Sequence, residues 1–179
     1  GSPGIAFGNE VRIADSEGKI ATLGNESEIQ VRGLNLMQGY LKSPEATREA
    51  FTSDGWYRTG DLGIMDSDGY VFVTGRLKEL IIKGGENISP REIDDVLYRH
   101  DMVMEAAAFP LPDDHYGQIV AAAIAPRPGE NIHESELRKL CFDALGKYKS
   151  PAHYFFMSEL PKGPSGKIQR LKLTDQYSD

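Results

Sequence analysis

At 179 residues, with 40% apolar content, seven Phe and eight Tyr, the chain can form one domain or two small ones around a real core. A net charge of −7 and a pI near 5.1 exclude general nucleic-acid binding. The lone Cys141 excludes a disulfide framework, and with neither a signal peptide nor a run of about 18 apolar residues the chain reads as soluble and cytoplasmic.

Residues 4–40 alternate as strands do, with Val11–Ala14 and Glu28–Arg32 separated by a turn at Asp15–Gly18. Leu34–Tyr40 reads as loop. Ser43 and Pro44 open a short helix running to Phe51. Asp54-Gly55 turns the chain into Trp56-Tyr-Arg-Thr-Gly-Asp61, where Thr-Gly-Asp by itself is a turn. A carboxylate just after a glycine can also accept two adjacent hydroxyls, as in ribose binding. Asp66–Gly69 is a hairpin turn before Tyr70–Thr74; without a distant bidentate glutamate in register it is not a calcium loop.

Gly75–Ile93 runs as a strand, breaks at Gly84-Gly85, then opens a helix with Ser89 as cap, Pro90 at its first position and Glu92 closing a capping box. Two rigid elements thus flank a short joint bearing Arg76, Lys78 and Lys83. That pattern fits a moving part that handles phosphate, and it fits an ordinary hairpin before a surface helix.

Two strands follow, Val103–Phe109 and Gln118–Ala125, with Pro110–Gly117 as a loop between them. His115 on that loop has no placed partner, and His100, His133 and His153 lack metal-ligand spacing. A helix from Glu134 to Leu145 stops at Gly146 and packs Cys141 inward, and Tyr154–Met157 is a short core strand. The last 33 residues carry a balance of +3 against −10 for the first 146, so a basic end follows an acidic body. Within that end, Pro161–Arg170 forms a loop of two glycines and two prolines presenting Lys167, a point charge suited to an oxygen gaining negative charge. It lacks the Walker pattern.

Trp56–Asp61, Gly75–Ile93 and Pro161–Arg170, in this order and at these separations, resemble the C-terminal portion of the adenylate-forming superfamily of acyl-CoA synthetases, carrier-protein adenylation domains and firefly-type luciferases. The resemblance runs from about Gly4 to Leu173. It implies an α+β fold: 1–77 as the terminal β-rich part of a large N-terminal AMP-binding domain, and 78–179 as a small mobile lid. It implies that Asp61 holds the adenosine ribose, that Arg76 contacts the nucleotide near its ribose and α-phosphate, and that Lys78 is the hinge. Gly84 and Gly85 would line the channel for the pantetheine thiol, and Lys167 would be the catalytic lysine. The family's usual Gly-Glu stands here as Ser27-Glu28.

The implied reaction joins a carboxylic acid to AMP from Mg-ATP, then passes the acyl group to the thiol of coenzyme A. The family's phosphate loop, its magnesium-binding glutamate and its acyl pocket lie upstream of these motifs and do not occur here. The expectation is therefore a C-terminal fragment that needs the rest of its N-terminal domain and is inactive alone. The alternatives are a carrier-protein-loading adenylation domain, which usually has Asp at the Lys78 position, and a non-catalytic binding fragment.

Overall fold

The computed structural model describes residues 2–178. Its backbone falls into two compact units, Gly1–Lys78 and Glu79–Asp179.

The first unit is a five-stranded antiparallel sheet. In chain order the strands are β1 (Gly4–Ile5), β2 (Glu10–Ala14), β3 (Ser27–Arg32), β4 (Tyr57–Met65) and β5 (Tyr70–Arg76), and in space they lie as β1-β5-β4-β3-β2. Alternation sorts the side chains by face. Ile13, Ile29 and Val71 are buried together, with Val11, Val31, Met65 and Val73 against them. The intervening positions carry charge. Arg12 donates to Gln30 (2.8 Å) and to Asp54 (2.8 and 3.2 Å), while Arg32 donates to Glu10 (2.7 and 3.0 Å). Both guanidinium carbons lie 4.5 Å from the centre of the Trp56 ring, a double cation–π contact on a nearly buried indole. The short helix α1 (Pro44–Ala50) buries none of its residues.

A single 3₁₀ turn, Leu77–Glu79, leads into the second unit. There β6 (Ile81–Lys83) and β7 (Glu86–Ile88) form a hairpin, followed by α2 (Pro90–Leu97), β8 (Val103–Asp113), β9 (Gly117–Pro126), α3 (Glu134–Lys149), β10 (His153–Phe156) and α4 (Arg170–Tyr177). The central strand β9 runs antiparallel to β8 and parallel to β10. Strands covered on both faces read as unbroken apolar runs, and here each face has its own cover. Ala106, Ala108, Val120, Ala122 and Ile124 pack with Ile93, Val96 and Leu97 of α2 and Leu137 and Cys141 of α3. Their neighbours Ala107, Phe109, Ala121, Ala123 and Ala125 pack on Leu160 and on Leu173 of α4.

Several elements differ from the sequence reading. Pro110–Asp113 continues β8 rather than forming a loop, with Pro110 opposite Val120 and Pro112 opposite Gln118. β8 is an edge strand, where a missing N–H is tolerated. Tyr57–Asp61 is strand rather than turn, made irregular by register shifts at Glu28/Gln30 and Leu62/Gly63. Ser89 is the N-cap residue of α2 without a side-chain cap hydrogen bond, and the Glu92 carboxylate pairs with Lys149 at 2.7 and 2.9 Å. Gly146 breaks the regular helix as expected, but one more helical turn follows it to Lys149. No helix among the described residues is long and apolar enough to cross a membrane.

Candidate functional site

In the first unit, Asp61 and Arg76 are partners across β4 and β5, and Arg76 Nε lies 2.9 Å from Asp61 Oδ1. Both remain partly open to solvent. The Asp61 N–H bonds the Thr59 hydroxyl (3.0 Å), and that hydroxyl donates to the Ile29 carbonyl (2.7 Å). Beneath them sits Glu28, a carboxylate only 6% exposed. It accepts the Gly60 N–H at 3.1 Å, the Gln30 amide at 3.2 Å and Arg58 at 3.4 Å. The network fixes the irregular backbone that turns Asp61 outward.

Alongside lies a cavity of about 600 Å³, lined among others by Glu28, Tyr40, Tyr57, Thr59, Arg76 and Lys78. The Tyr57 hydroxyl is pushed above the usual tyrosine range by its hydrogen bond with Tyr40 and by burial. The exposed Lys78 is on this rim, with no side-chain hydrogen bond or ion pair among the described residues. Sequence reading singled out Asp61, Arg76 and Lys78, and the fold gathers Asp61 with Arg76 and puts Lys78 with Arg76 on the cavity wall. It missed Glu28, which sits at a polar position of the alternating run Ser27–Arg32 and so reads as an ordinary solvent-facing charge.

In the second unit, Gly84 and Gly85 are the two central residues of the β6–β7 turn, at φ +54° and +85°. Two successive positive φ values define the tight hairpin turn that only glycine-like residues enter without strain. A side chain on Gly84 would also meet the Tyr148 hydroxyl at 3.1 Å and the Tyr116 ring at 3.2 Å. These rings flank Lys83, whose Nζ donates to the Tyr148 carbonyl at 2.6 Å and lies 4.7 and 5.4 Å from the Tyr148 and Tyr116 ring centres. Burial lowers the Lys83 ammonium pKa against the opposing charge of Asp113. His115 packs edge-on to Tyr116, with ring centres 4.5 Å apart.

Lys167 is at the end of a second tight turn. Gly166 N–H bonds the Gly163 carbonyl and Gly163 N–H bonds the Lys167 carbonyl, both at 2.9 Å, and Lys162 and Ile168 pair as the stem. Pro164 suits the second turn position, and Gly166 at φ +77° supplies the left-handed residue. On one stem Lys162 reaches Glu105 of β8 at 2.5 Å. On the other, Arg170 enters the protein toward Asp94. Lys167 itself is exposed, with no side-chain hydrogen bond or ion pair among the described residues. Its charge is uncommitted.

No group of three or more His, Cys, Asp or Glu able to hold a metal occurs among the described residues. They offer magnesium no carboxylate cluster.

Comparison with known proteins matches residues 92–167 to the AMP-binding enzyme C-terminal domain. The chain is 53% identical over 173 residues to sulfoacetate–CoA ligase of Cupriavidus necator, covering 97% of this chain and 34% of the ligase. Oxalate–CoA ligase of Arabidopsis thaliana is 42% identical over 177 residues, 99% of this chain and 34% of that protein. ATP-bound MatB from Rhodopseudomonas palustris superimposes with a TM-score of 0.94 at 35% identity, over 100% of this chain and 36% of its own. The chain spans about a third of the length of these relatives.

Proposed function

This chain carries the C-terminal domain of the AMP-binding enzymes, and from that premise we propose that it serves an ATP-dependent ligase joining a carboxylic acid to coenzyme A. The observation that carries the reading is Lys167, an unpaired cation at the end of an anchored turn. In the first half-reaction a carboxylate oxygen attacks the α-phosphorus of ATP, forming acyl-adenylate as the bond to pyrophosphate breaks. Negative charge builds on the phosphoryl oxygens, and a fixed ammonium that has no partner to give up can stabilise it. In the second, the thiol sulfur attacks the acyl carbon, its proton is lost, and AMP departs.

Asp61 would accept the two ribose hydroxyls, with Arg76 both its partner and a contact for the nucleotide. The cavity beside them, with Tyr40, Tyr57 and Thr59 in its wall, supports a nucleotide site in the first unit. Lys78, next to the boundary between the compact units, would be the hinge that lets one small domain serve both half-reactions. Gly84 and Gly85 would present a bare backbone surface to the pantetheine arm. The domain assignment follows: 1–77 completes a larger AMP-binding domain, which supplies the phosphate loop, acyl pocket and magnesium ligands, and 78–179 is the lid.

The thiol is assigned to coenzyme A, since the Cupriavidus and Arabidopsis relatives above are CoA ligases. Both act on two-carbon acids bearing a second anionic group, so such acids head the substrate panel. The test joins this chain behind the N-terminal two thirds of the Cupriavidus ligase and measures pyrophosphate release and acyl-CoA formation. Turnover by the fusion, with none by this chain alone, is the expected result. A folded fusion without pyrophosphate release would overturn the reading, and acyl transfer to a carrier-protein thiol but not to CoA would replace the acceptor.

A further inference from the structure

A lysine at the end of a turn is useful only if the turn is held still. Its own bonds close the loop but do not tie it to the fold. What ties the following stem is Arg170, three residues beyond Lys167 and the first residue of α4. Its side chain is 16% exposed and its donors are spread over three parts of the second unit. Nη2 gives a hydrogen bond to Asp94 Oδ2 on α2 (2.5 Å), Nη1 to the Ala108 carbonyl on β8 (2.8 Å), and Nε to Glu79 Oε2 (3.1 Å). Asp94, itself 6% exposed, also accepts the Ala108 N–H at 2.6 Å. A carboxylate and a guanidinium together therefore clasp both backbone groups of one residue in the central sheet. The rigid fork of arginine can do this; the single ammonium of lysine cannot span the same acceptors.

Glu79 adds a second point. It closes the 3₁₀ turn that contains Lys78. The segment just after the hinge candidate and the segment just after the lysine loop are thus bonded to one guanidinium. Burial works against both partners: it raises the Asp94 carboxyl pKa despite the nearby cation, while the Asp94 and Glu79 charges outweigh it for Arg170.

We infer that Arg170, with Asp94 and Glu79 as its acceptors, is a positioning residue that holds the Lys167 loop on the central sheet and α2 and yokes it to the segment following Lys78. This rests on the reading of Lys167 given above. It goes beyond that reading by assigning loop placement to a side chain that touches no substrate.

The test uses the same fusion and separates the half-reactions: pyrophosphate release from ATP and acid, and acyl-CoA formation from supplied acyl-adenylate. Arg170→Lys keeps a cation beside Asp94 but loses the fork. The paired change Arg170→Met with Asp94→Leu replaces the buried pair with apolar side chains, which buried pairs commonly tolerate. Each should slow adenylation on the order of 10²-fold, the scale of a small misplacement. The supplied-adenylate step should fall by less than about a tenth of that factor. Amide exchange on this chain supplies a readout independent of turnover: the Gly163 and Gln169 N–H groups of the loop should exchange faster in both variants, with β3 unchanged. Equal loss of both half-reactions, or loop exchange at the parental rate, would overturn the positioning role. Lys167→Ala run in parallel keeps the two ideas apart. If it spares adenylation, the reading of Lys167 fails, whereas if it blocks adenylation and the Arg170 variants do not, only the present inference fails.

Discussion

The surroundings of Asp61 and of Lys167 handle charge in opposite ways. Around Asp61 the carboxylates are spoken for, Asp61 by Arg76 and Glu28 by Arg58, while Lys78, farther along the cavity rim, is left without an ion pair among the described residues. A ligand group arriving at Asp61 must share or exchange an existing contact, which suits the ribose recognition proposed above. At Lys167 the pairing stops one step short of the proposed catalytic ammonium. Lys162 and Arg170 on the two stems are both engaged, and the lysine between them is left open. Spent charges hold a structure in place; an unspent one is what the proposed role of Lys167 requires.

Deleting the unspent charge tests the contrast most severely. In the fusion, Lys167→Ala should lower adenylation on the order of 10²- to 10³-fold, read as pyrophosphate release, and leave thioester formation from supplied acyl-adenylate largely intact. Equal loss of both steps would place Lys167 among the structural charges. At the paired site the effect should be smaller and of another kind. Asp61→Ala should raise the apparent KM for ATP about tenfold, the scale of one hydrogen bond to a charged group, with little change in kcat. An unchanged KM would remove the ribose contact and leave Asp61 as the strand partner of Arg76.

The smallest effect concerns a pair remote from either group. The Arg12 guanidinium, aided by the Thr52 hydroxyl, brings the Asp54 carboxyl from its ordinary 3.8 down to about 2. A depressed carboxyl stabilises the fold above its unfolded value and loses that contribution as pH falls through the folded one. Melting curves should therefore show Tm declining less steeply from about pH 4 to about pH 2 in Asp54→Asn than in the parent. Identical slopes would mean that the Arg12 contact adds nothing in solution, as for many exposed pairs.

Local chemistry was legible in the sequence where it is local in the fold. Gly84-Gly85 announced a turn, the glycines and prolines of 161–170 announced a second one, although Lys167 lies at its end rather than its tip, and the alternating strands of the first unit were readable from their period. The neighbours of those residues were not. Arg170 lies 76 positions from Asp94, and Glu28 lies 32 from Gly60. Such pairs leave no periodic trace, and a lone buried carboxylate looks in sequence like any surface one. Proline misled in Pro110 and Pro112 because the rule against proline in sheets relaxes at an edge, and edges are decided by topology. Helix α4 escaped for a related reason. It buries a single residue, Leu173, too little to write a stripe.

The two-faced sheet of the second unit has a consequence for the order in which the protein is made. One face is closed by α2 and α3, which lie within the chain, but the other waits for Leu173 on α4, and Arg170 at the start of that helix clasps Ala108. During synthesis Lys167 leaves the ribosome before either. An emerging chain therefore holds its lysine loop on an unsealed sheet, and the same last helix that shuts the core also takes the loop in hand. On the proposed role of Lys167, a chain that has not finished its interior has not yet placed its lysine.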